Sequence, residues 1–339
     1  MNNDSKRQIK QKRLNSIAIP SLCLYEMNRA SPPGNSAMFR RGIEEKPPNR
    51  PAFHYKPLDP SVDCIRLLAL LPYDERRPDI VRCKLFTVRF SEKPEYEALS
   101  YTWGESKPAE TILLNGEPFA IQENLYNALD NLRPTGDRPR MLWADAICID
   151  QGNLEERKRQ VGLMDYIYTR ASTVLIWLGR GTAEVQKIFA KKFMDLEQFY
   201  HTQEQKEEQA KWRQWVYQRT YWTRLWVIQE IGLSKNLRVC IGRFSKHWDK
   251  FLVCLNENGN NKHKYEDDLI RKLDQKRKGR HGKDNRLEKL LEDFQYARCK
   301  DQRDKVYGLL GLAYDCQDGS IEPDYTKPLF GLYTDLLTW

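Results

Sequence analysis

The chain has 339 residues, of which 40% are hydrophobic and 11% aromatic, and this is enough apolar sequence to bury a large globular core. No run of 18 apolar residues occurs, so the sequence predicts neither a membrane span nor a secretory signal, and we expect a cytoplasmic protein. The formal net charge of +9 would suit a nucleic-acid binder only if the basic residues shared one folded surface.

The basic charge is concentrated in two segments. Residues 1–50 carry ten Lys and Arg against four Asp and Glu, and residues 262–290 carry eleven against six, which leaves the rest of the chain at about −2. Sequence of this composition is typical of solvated, flexible chain. We therefore predict a disordered basic tail at residues 1–51 and a charged insertion or linker at residues 258–290 that does not pack, and we expect neither nucleic acid nor a membrane as partner.

The cysteines and histidines do not suggest a metal site. No two of the eight cysteines are closer than 14 residues, and the five histidines are dispersed, so the paired spacing of a zinc site is absent from the sequence. The sequence also lacks the glycine-rich phosphate loops, the zinc-protease motif and the nucleophile-elbow motif. We predict no metal and no bound cofactor.

The first elements in chain order are strands. CIRLLALL from Cys64 and DIVRCKLFTVRF from Asp79 are predicted to form an antiparallel pair. The segment YEALSYTWG, residues 96–104, is a short strand that ends in Gly. Asn115-Gly116 within ILLNGEPFAI is a strong hairpin signal, and a helix over residues 123–133 ends before Pro134.

The central part alternates strands with helices. MLWADAICID, Met141–Asp150, is a nearly continuous apolar run that predicts a strand buried on both faces. Asn153 and Glu156 resemble a capping box at the start of a helix, and TVLIWLG, residues 173–179, is the next buried strand. A helix followed by a fourth strand, LRVCIG, occupies residues 221–242. This alternation predicts a parallel sheet with helices on its faces.

Three ordered blocks, at residues 96–104, 141–179 and 221–242, resemble the heterokaryon-incompatibility (HET) domain family of fungi. They contain YEALSYTWG, LWADAICIDQGNLEERKRQ and YWTRLWVIQEI. HET domains are similar to TIR domains, which have a flavodoxin-like sheet. The resemblance therefore implies an α/β fold with a flavodoxin/TIR-like parallel sheet and flanking helices, to which this chain adds an N-terminal antiparallel hairpin and further helices. It places the HET core at residues 52–257 and a C-terminal helical part, packed on that core, at residues 291–339.

The resemblance implies an effector of nonself recognition that triggers regulated cell death. In TIR domains that cleave NAD, a Trp stands four residues before a catalytic Glu, and Trp226 and Glu230 have this spacing before LRVCIG. One hypothesis is therefore an NAD glycohydrolase with Glu230 as catalytic residue and NAD as substrate. The alternative is a non-enzymatic signalling module that self-assembles, in which Glu230 is buried and paired with Arg224, Arg298 or Arg303.

A ligand site is predicted where the first two central strands end, because open α/β sheets bind ligands at the carboxyl edge. Trp103 could stack on a base, Gly104 could admit a phosphate, and Asp145 could bind a hydroxyl. In the competing interpretation, Tyr101 and Trp103 belong to the core, and Asp145 accepts hydrogen bonds from backbone donors or an Arg. The candidate binding residues are Tyr101, Trp103, Gly104, Asp145, Asp150, Arg157 and Trp226. For Arg157, ion pairing with Glu155 or Glu156 on the surface is the competing interpretation. The expected partners are a second copy of the chain and an unidentified nonself-recognition protein.

Overall fold

A single mixed sheet of nine strands runs through the part of the chain that the computed structural model describes, which comprises residues 53–104, 110–190, 202–255, 266–280, 282–317, 319 and 321–338. The strands are β1 (Cys64–Leu70), β2 (Arg82–Arg89), β3 (Glu97–Ser100), β4 (Glu110–Leu114), β5 (Glu117–Ile121), β6 (Arg140–Trp143), β7 (Thr173–Trp177), β8 (Leu237–Ile241) and β9 (Phe244–His247). The order across the sheet is β5-β4-β2-β1-β6-β3-β7-β8-β9. The tail predicted at residues 1–51 lies outside the described residues.

Twelve α-helices are found within the same described ranges. They are α1 (Glu123–Leu132), α2 (Asp145–Cys148), α3 (Leu154–Gly162), α4 (Met164–Arg170), α5 (Ala183–Ala190), α6 (Gln203–Tyr217), α7 (Trp226–Gly232), α8 (Trp248–Leu255), α9 (Glu266–Lys278), α10 (Leu287–Asp293), α11 (Asp304–Leu310) and α12 (Leu329–Thr338). Helix α7 packs against α4, α9 and α11. None of the helices in the described ranges is both long and apolar enough to cross a membrane.

Strands β6, β3, β7 and β8 are mutually parallel and form the centre of the sheet. Numbered along the chain, they lie in the order 2-1-3-4, which matches the first four positions of the flavodoxin-like order. The α/β class predicted from the sequence is thus confirmed. In sheets of this order, ligands bind at the carboxyl ends of the strands where the winding reverses, which here is between β3 and β7.

The predicted N-terminal hairpin and the Asn-Gly hairpin are both confirmed. Strands β1 and β2 pair antiparallel, with Cys64 opposite Arg89. In the β4–β5 hairpin, Asn115 and Gly116 have φ angles of 54° and 89°, the left-handed conformation that a two-residue turn between twisted strands requires. The Asn115 side chain also accepts a hydrogen bond from the Leu85 amide at 2.8 Å, which joins the turn to β2.

The prediction of one long strand over Met141–Asp150 is wrong. Strand β6 ends at Trp143, and the chain then turns into the short helix α2, in which the Cys148 amide donates to the Ala144 carbonyl at 2.8 Å. Ile147 and Cys148 are fully buried. The apolar run therefore reflects burial rather than extended structure, because complete burial removes the periodicity that distinguishes a helix from a strand.

The charged stretch also differs from its prediction, because helix α9 packs. Ile270 and Leu273 are 1% and 0% exposed, and Lys276 forms an ion pair with Asp293 on α10 at 2.8 Å. The number of charged residues in a segment does not show whether its few apolar residues lie on one face of a helix. A helix brings residues three positions apart onto one face, so two apolar side chains can be buried while the charged residues cover the remaining surface.

The structure divides into two compact units, one of them residues 53–325 and the other containing residues 326–338. The second unit carries helix α12. Within it the Lys327 ammonium bonds the Asp335 carboxylate, and Phe330 is 83% exposed. The predicted packing of residues 291–339 on the HET core stays a prediction.

Candidate functional site

A buried polar cluster lies where strand β3 ends. Ser100, the last residue of β3, donates a hydrogen bond from its hydroxyl to Oε2 of Glu230 on α7. The Ser100 and Tyr221 hydroxyl oxygens are 2.5 Å apart, and Tyr221 belongs to the short 3-10 helix Thr220–Thr223. The three residues are 1%, 2% and 3% exposed in the order Ser100, Tyr221, Glu230. Strand β3, the 3-10 helix and α7 thus each contribute one group to a single hydrogen-bonded chain.

Glu230 is buried because its helix is enclosed by its neighbours. Every residue from Val227 to Gly232 is buried. A Cβ placed on Gly232 would lie 2.9 Å from Leu312, and one placed on Gly308 of α11 would lie 3.0 Å from Leu225, so the close packing of α7 with its surroundings depends on these glycines. A carboxyl group on such a helix needs polar partners, since burying it alone would be costly.

Burial raises the pKa of Glu230 to about 7, although Arg224 and the Ser100 hydrogen bond both act to lower it. Arg224 donates to the main-chain carbonyl of Tyr101, and it forms no direct ion pair with Glu230 among the described residues. Asp145 is close enough to raise the pKa of Glu230 further. The carboxyl group is therefore partly protonated at neutral pH, which is an unusual state for a glutamate.

Trp103 and Asp145 are brought together beside this cluster. The Trp103 indole N–H donates to Asp145 Oδ2 at 2.8 Å, and the Ala146 amide donates to Asp145 Oδ1 at 2.8 Å. Burial raises the pKa of Asp145, while Arg224 lowers it. Tyr101 is buried, and its hydroxyl has no hydrogen-bond partner of good geometry among the described residues, although the Asp145 carboxylate is near enough to raise its pKa.

Helix α1 is hydrogen-bonded to the ends of both β3 and β7, the two strands between which the winding of the sheet reverses. Asn124 donates to the Thr102 carbonyl at 2.6 Å and accepts from the Trp177 indole N–H at 3.0 Å. Gly104 has a φ angle of 88°, which a residue with a side chain rarely adopts. Sequence reasoning missed Asn124, and nothing in its local pattern distinguishes it from an ordinary polar residue in the first turn of a helix.

The segment that contains these residues is similar to a known protein family. Residues 96–230 match the family described as heterokaryon incompatibility protein (HET). These residues are a HET domain. A curated relative, heterokaryon incompatibility protein 6, OR allele, of Neurospora crassa, is 29% identical over 359 residues, covering 79% of this chain and 50% of the relative. The chain therefore spans about half the length of that relative. No solved structure matches the chain.

The HET domain places three of the predicted site residues elsewhere. Asp150 lies in the turn before α3, where its side chain accepts from the Gly152 amide at 3.1 Å. Arg157 is exposed on α3, and it forms no ion pair with Glu155 or Glu156 among the described residues. The Trp226 indole N–H donates to Asp304 Oδ2 on α11 at 3.3 Å. No hydrogen bond among the described residues connects these three to Glu230.

Three arginines, Arg224, Arg298 and Arg303, were expected as partners that could anchor a buried Glu230. Arg303 pairs with Asp301 at 2.6 Å, and Arg298 pairs with Arg224 through a main-chain bridge. Of these three arginines, only Arg224 affects the pKa of Glu230, and the two side chains form no ion pair among the described residues. No group of three His, Cys, Asp or Glu in the described part of the HET domain and its flanks could hold a metal ion. The chemistry available to the cluster is therefore that of a buried carboxyl group, two hydroxyls and a guanidinium.

Proposed function

We propose that this chain acts in heterokaryon incompatibility, as an effector of nonself recognition that leads to regulated cell death. The HET match over residues 96–230 and the similarity to the Neurospora relative support this role. A second copy of the chain and a recognition protein are the partners that such a role requires.

We further propose that the HET domain hydrolyses NAD at the bond between nicotinamide and ribose, with Glu230 as the catalytic residue. The observation that carries this proposal is the place of Glu230. It is a buried carboxyl group held at the carboxyl end of β3, beside the point where the sheet reverses its winding, with Asp145 and Arg224 nearby. A carboxylate with little solvation interacts strongly with a developing positive charge, which is what this reaction generates.

The proposed reaction needs no metal or bound cofactor. The bond between the anomeric carbon and the nicotinamide nitrogen breaks, and its electron pair remains on that nitrogen, which neutralises the pyridinium. The ribose becomes an oxocarbenium ion, which the Glu230 carboxylate stabilises. Water then adds to the anomeric carbon and loses a proton. The products are nicotinamide, ADP-ribose and one proton, and only the ionised form of Glu230 can act in this way.

One observation favours the alternative, a non-enzymatic module that signals by self-assembly. Glu230 is only 3% exposed and hydrogen-bonded to Ser100, as a carboxyl group that merely anchors α7 would be. In that case the HET domain would act through its surfaces, and replacing Glu230 would affect stability alone.

Incubation of the purified chain with NAD distinguishes the two functions. Chromatography would follow nicotinamide and ADP-ribose, with Glu230→Gln assayed in parallel at equal concentration. Equimolar release of both products by the parent, and not by the variant, is the expected result. A folded parent protein that releases no nicotinamide, alone or at the high concentrations that favour self-assembly, would overturn the enzymatic proposal and favour the signalling module.

A further inference from the structure

The Ser100 hydroxyl bridges two groups but carries a single proton. When Glu230 is ionised, its Oε2 can only accept, so the Ser100 proton must point to that oxygen. The Tyr221 hydroxyl, 2.5 Å from Ser100 Oγ, must then be the donor to serine. Burial and the neighbouring Glu230 hold the pKa of Tyr221 well above its ordinary value, so the tyrosine keeps the proton that this role requires. With Glu230 ionised, the hydrogen-bond direction thus runs from Tyr221 to Ser100 to Glu230.

The hydrogen-bonded chain of Tyr221, Ser100 and Glu230 is anchored at Ser100, the last residue of β3. Ser100 is opposite Ile176 in the parallel ladder between β3 and β7, so its main chain cannot shift without disturbing the central sheet. Tyr221 is also packed edge to face on Trp222, with ring centroids 5.0 Å apart. Glu230 uses only Oε2 in this arrangement, and its Oε1 accepts no hydrogen bond from a described residue. Ser100 therefore holds one oxygen of the carboxyl group, and the other has no such donor among the described residues.

We propose that Ser100, oriented by Tyr221, is the positioning residue of Glu230, and that it holds Oε2 so that Oε1 is the oxygen presented to substrate. The inference rests on the proposed function for the identity of the substrate, but the hydrogen-bond chain itself does not depend on it. Neither Ser100 nor Tyr221 reacts with substrate in this scheme. Both act through Glu230.

The groups around Glu230 set the direction of the expected effect. Arg224 stabilises the Glu230 carboxylate, whereas Asp145 on α2 destabilises it. Tyr168 on α4 is also near, because the charge of Glu230 raises the pKa of the Tyr168 hydroxyl. The hydrogen bond from Ser100 favours the ionised form. Removing that donor leaves the other groups in place, so the pKa of Glu230 should rise and less carboxylate should be present at neutral pH.

The test compares Ser100→Ala and Tyr221→Phe with two matched controls in the full chain. Ser234→Ala removes a fully buried serine hydroxyl that donates to the Ile231 carbonyl at 2.7 Å. Tyr96→Phe removes a buried tyrosine hydroxyl that donates to the Ile167 carbonyl at 2.7 Å. Each control costs a buried hydrogen bond to the main chain but leaves the Ser100–Glu230 pair intact. Differential scanning calorimetry first establishes that each variant folds.

The primary measurement is the titration of the Glu230 carboxyl carbon by 13C NMR, assigned with Glu230→Gln. Ser100→Ala should raise the midpoint by about one pH unit, as expected for loss of a hydrogen bond to a charged group. Tyr221→Phe should raise it by less, and both controls should leave it unchanged. An unchanged midpoint in folded Ser100→Ala would overturn the proposal. If that variant does not fold, Tyr221→Phe decides, since a midpoint equal to that of Tyr96→Phe would equally overturn it.

A second measurement separates this inference from the proposed function. If the parent cleaves NAD, Ser100→Ala should lower kcat at pH 7 about tenfold, with KM little changed. The midpoint in the dependence of kcat on pH should shift to higher pH. Ser100→Thr, which keeps the hydroxyl, should recover most of the rate. If the parent does not cleave NAD but Ser100→Ala still displaces the Glu230 titration, the positioning role holds and only the reaction is wrong.

Discussion

Arg66 on β1 and Glu156 on α3 form a buried, two-pronged ion pair between residues 90 positions apart in the sequence. Arg66 Nη1 lies 2.6 Å from Glu156 Oε1, and Nη2 lies 2.8 Å from Oε2. Both side chains are 2% exposed. Arg66 also donates to the Cys148 carbonyl at 3.1 Å, and Glu156 accepts from the Asp150 amide at 2.7 Å. The pair therefore fixes the turn between α2 and α3, next to Asp145.

Breaking this pair should destabilise the protein strongly. Glu156→Gln leaves the Arg66 guanidinium buried without a countercharge, so we expect the free energy of unfolding to fall by about 3–5 kcal/mol. Urea denaturation measures the change. Glu155→Gln is the matched control, because Glu155 is the preceding residue on α3 but exposed, and it should change stability by less than about 0.5 kcal/mol. Similar effects of the two substitutions would contradict the structural role of the pair.

Removing both partners should cost less than the two single losses combined. In Arg66→Met/Glu156→Leu no buried charge remains, and apolar side chains of comparable size occupy the space. The double-mutant cycle of unfolding free energies, built with Arg66→Met and Glu156→Leu, gives the coupling directly. A strictly additive cycle would show that the two charges do not interact.

Glu230→Gln should abolish the proposed NAD cleavage while leaving the cluster intact. The amide oxygen can still accept from Ser100, but the charge is lost, so we expect nicotinamide release to fall by at least ~100-fold. Binding of NAD, measured calorimetrically, should weaken far less, because the charge matters mainly in the transition state. Glu155→Gln should retain the parent rate. A folded Glu230→Gln protein with the parent rate would eliminate Glu230 as the catalytic residue.

The same variant should reveal the raised pKa of Glu230 as a dependence of stability on pH. The folded protein holds this proton up to about pH 7, whereas the unfolded chain releases it near pH 4.5. Ionisation therefore favours the unfolded state, and the contribution of Glu230 to stability falls as the pH rises from about 4.5 through 7. Glu230→Gln lacks this ionisation, so its stability relative to the parent should increase between pH 5 and pH 8, by about 3 kcal/mol at most.

Urea denaturation of both proteins at pH 5, 6, 7 and 8 measures this difference. Other titrating groups contribute equally to the two proteins and cancel in the comparison. If Glu230→Gln were less stable than the parent by the same amount at every pH, Glu230 would be an ordinary ionised partner in an electrostatic pair.

Trp226→Phe tests whether the indole contributes to chemistry, as the spacing to Glu230 suggested. Its N–H bonds Asp304, which also accepts from the Tyr325 hydroxyl at 2.8 Å. We expect a loss of about 1 kcal/mol in stability and a rate of NAD cleavage that follows only the folded fraction. Tyr325→Phe, which removes the other hydrogen bond to Asp304, should behave alike. A rate loss in Trp226→Phe close to that of Glu230→Gln would instead place the indole at the substrate.

Local patterns were sufficient for the elements that local interactions determine. The Asn115-Gly116 turn follows from the left-handed conformation that these two residues tolerate, and the strands β7 and β8 follow from short apolar runs bounded by polar residues. The same reasoning failed at residues 141–150, where burial on every side hides the period. It was half right at Asn153, which caps α3 through the Glu156 amide at 3.1 Å, while the Glu156 carboxylate turns to Arg66 instead of completing a capping box.

The sequence by itself determined that Glu230 lies on a helix directly before a strand of a parallel sheet. The spacing of apolar residues within a short segment is sufficient to indicate each of these elements. It could not determine what the carboxyl group touches. Its hydrogen-bond donor, Ser100, is 130 positions away and becomes its neighbour only through the order in which the strands assemble. Trp226, only one helical turn from Glu230, is instead bonded to Asp304 on α11. Which groups surround a buried charge is decided by tertiary packing, since contacts between distant segments leave no periodic trace in either segment.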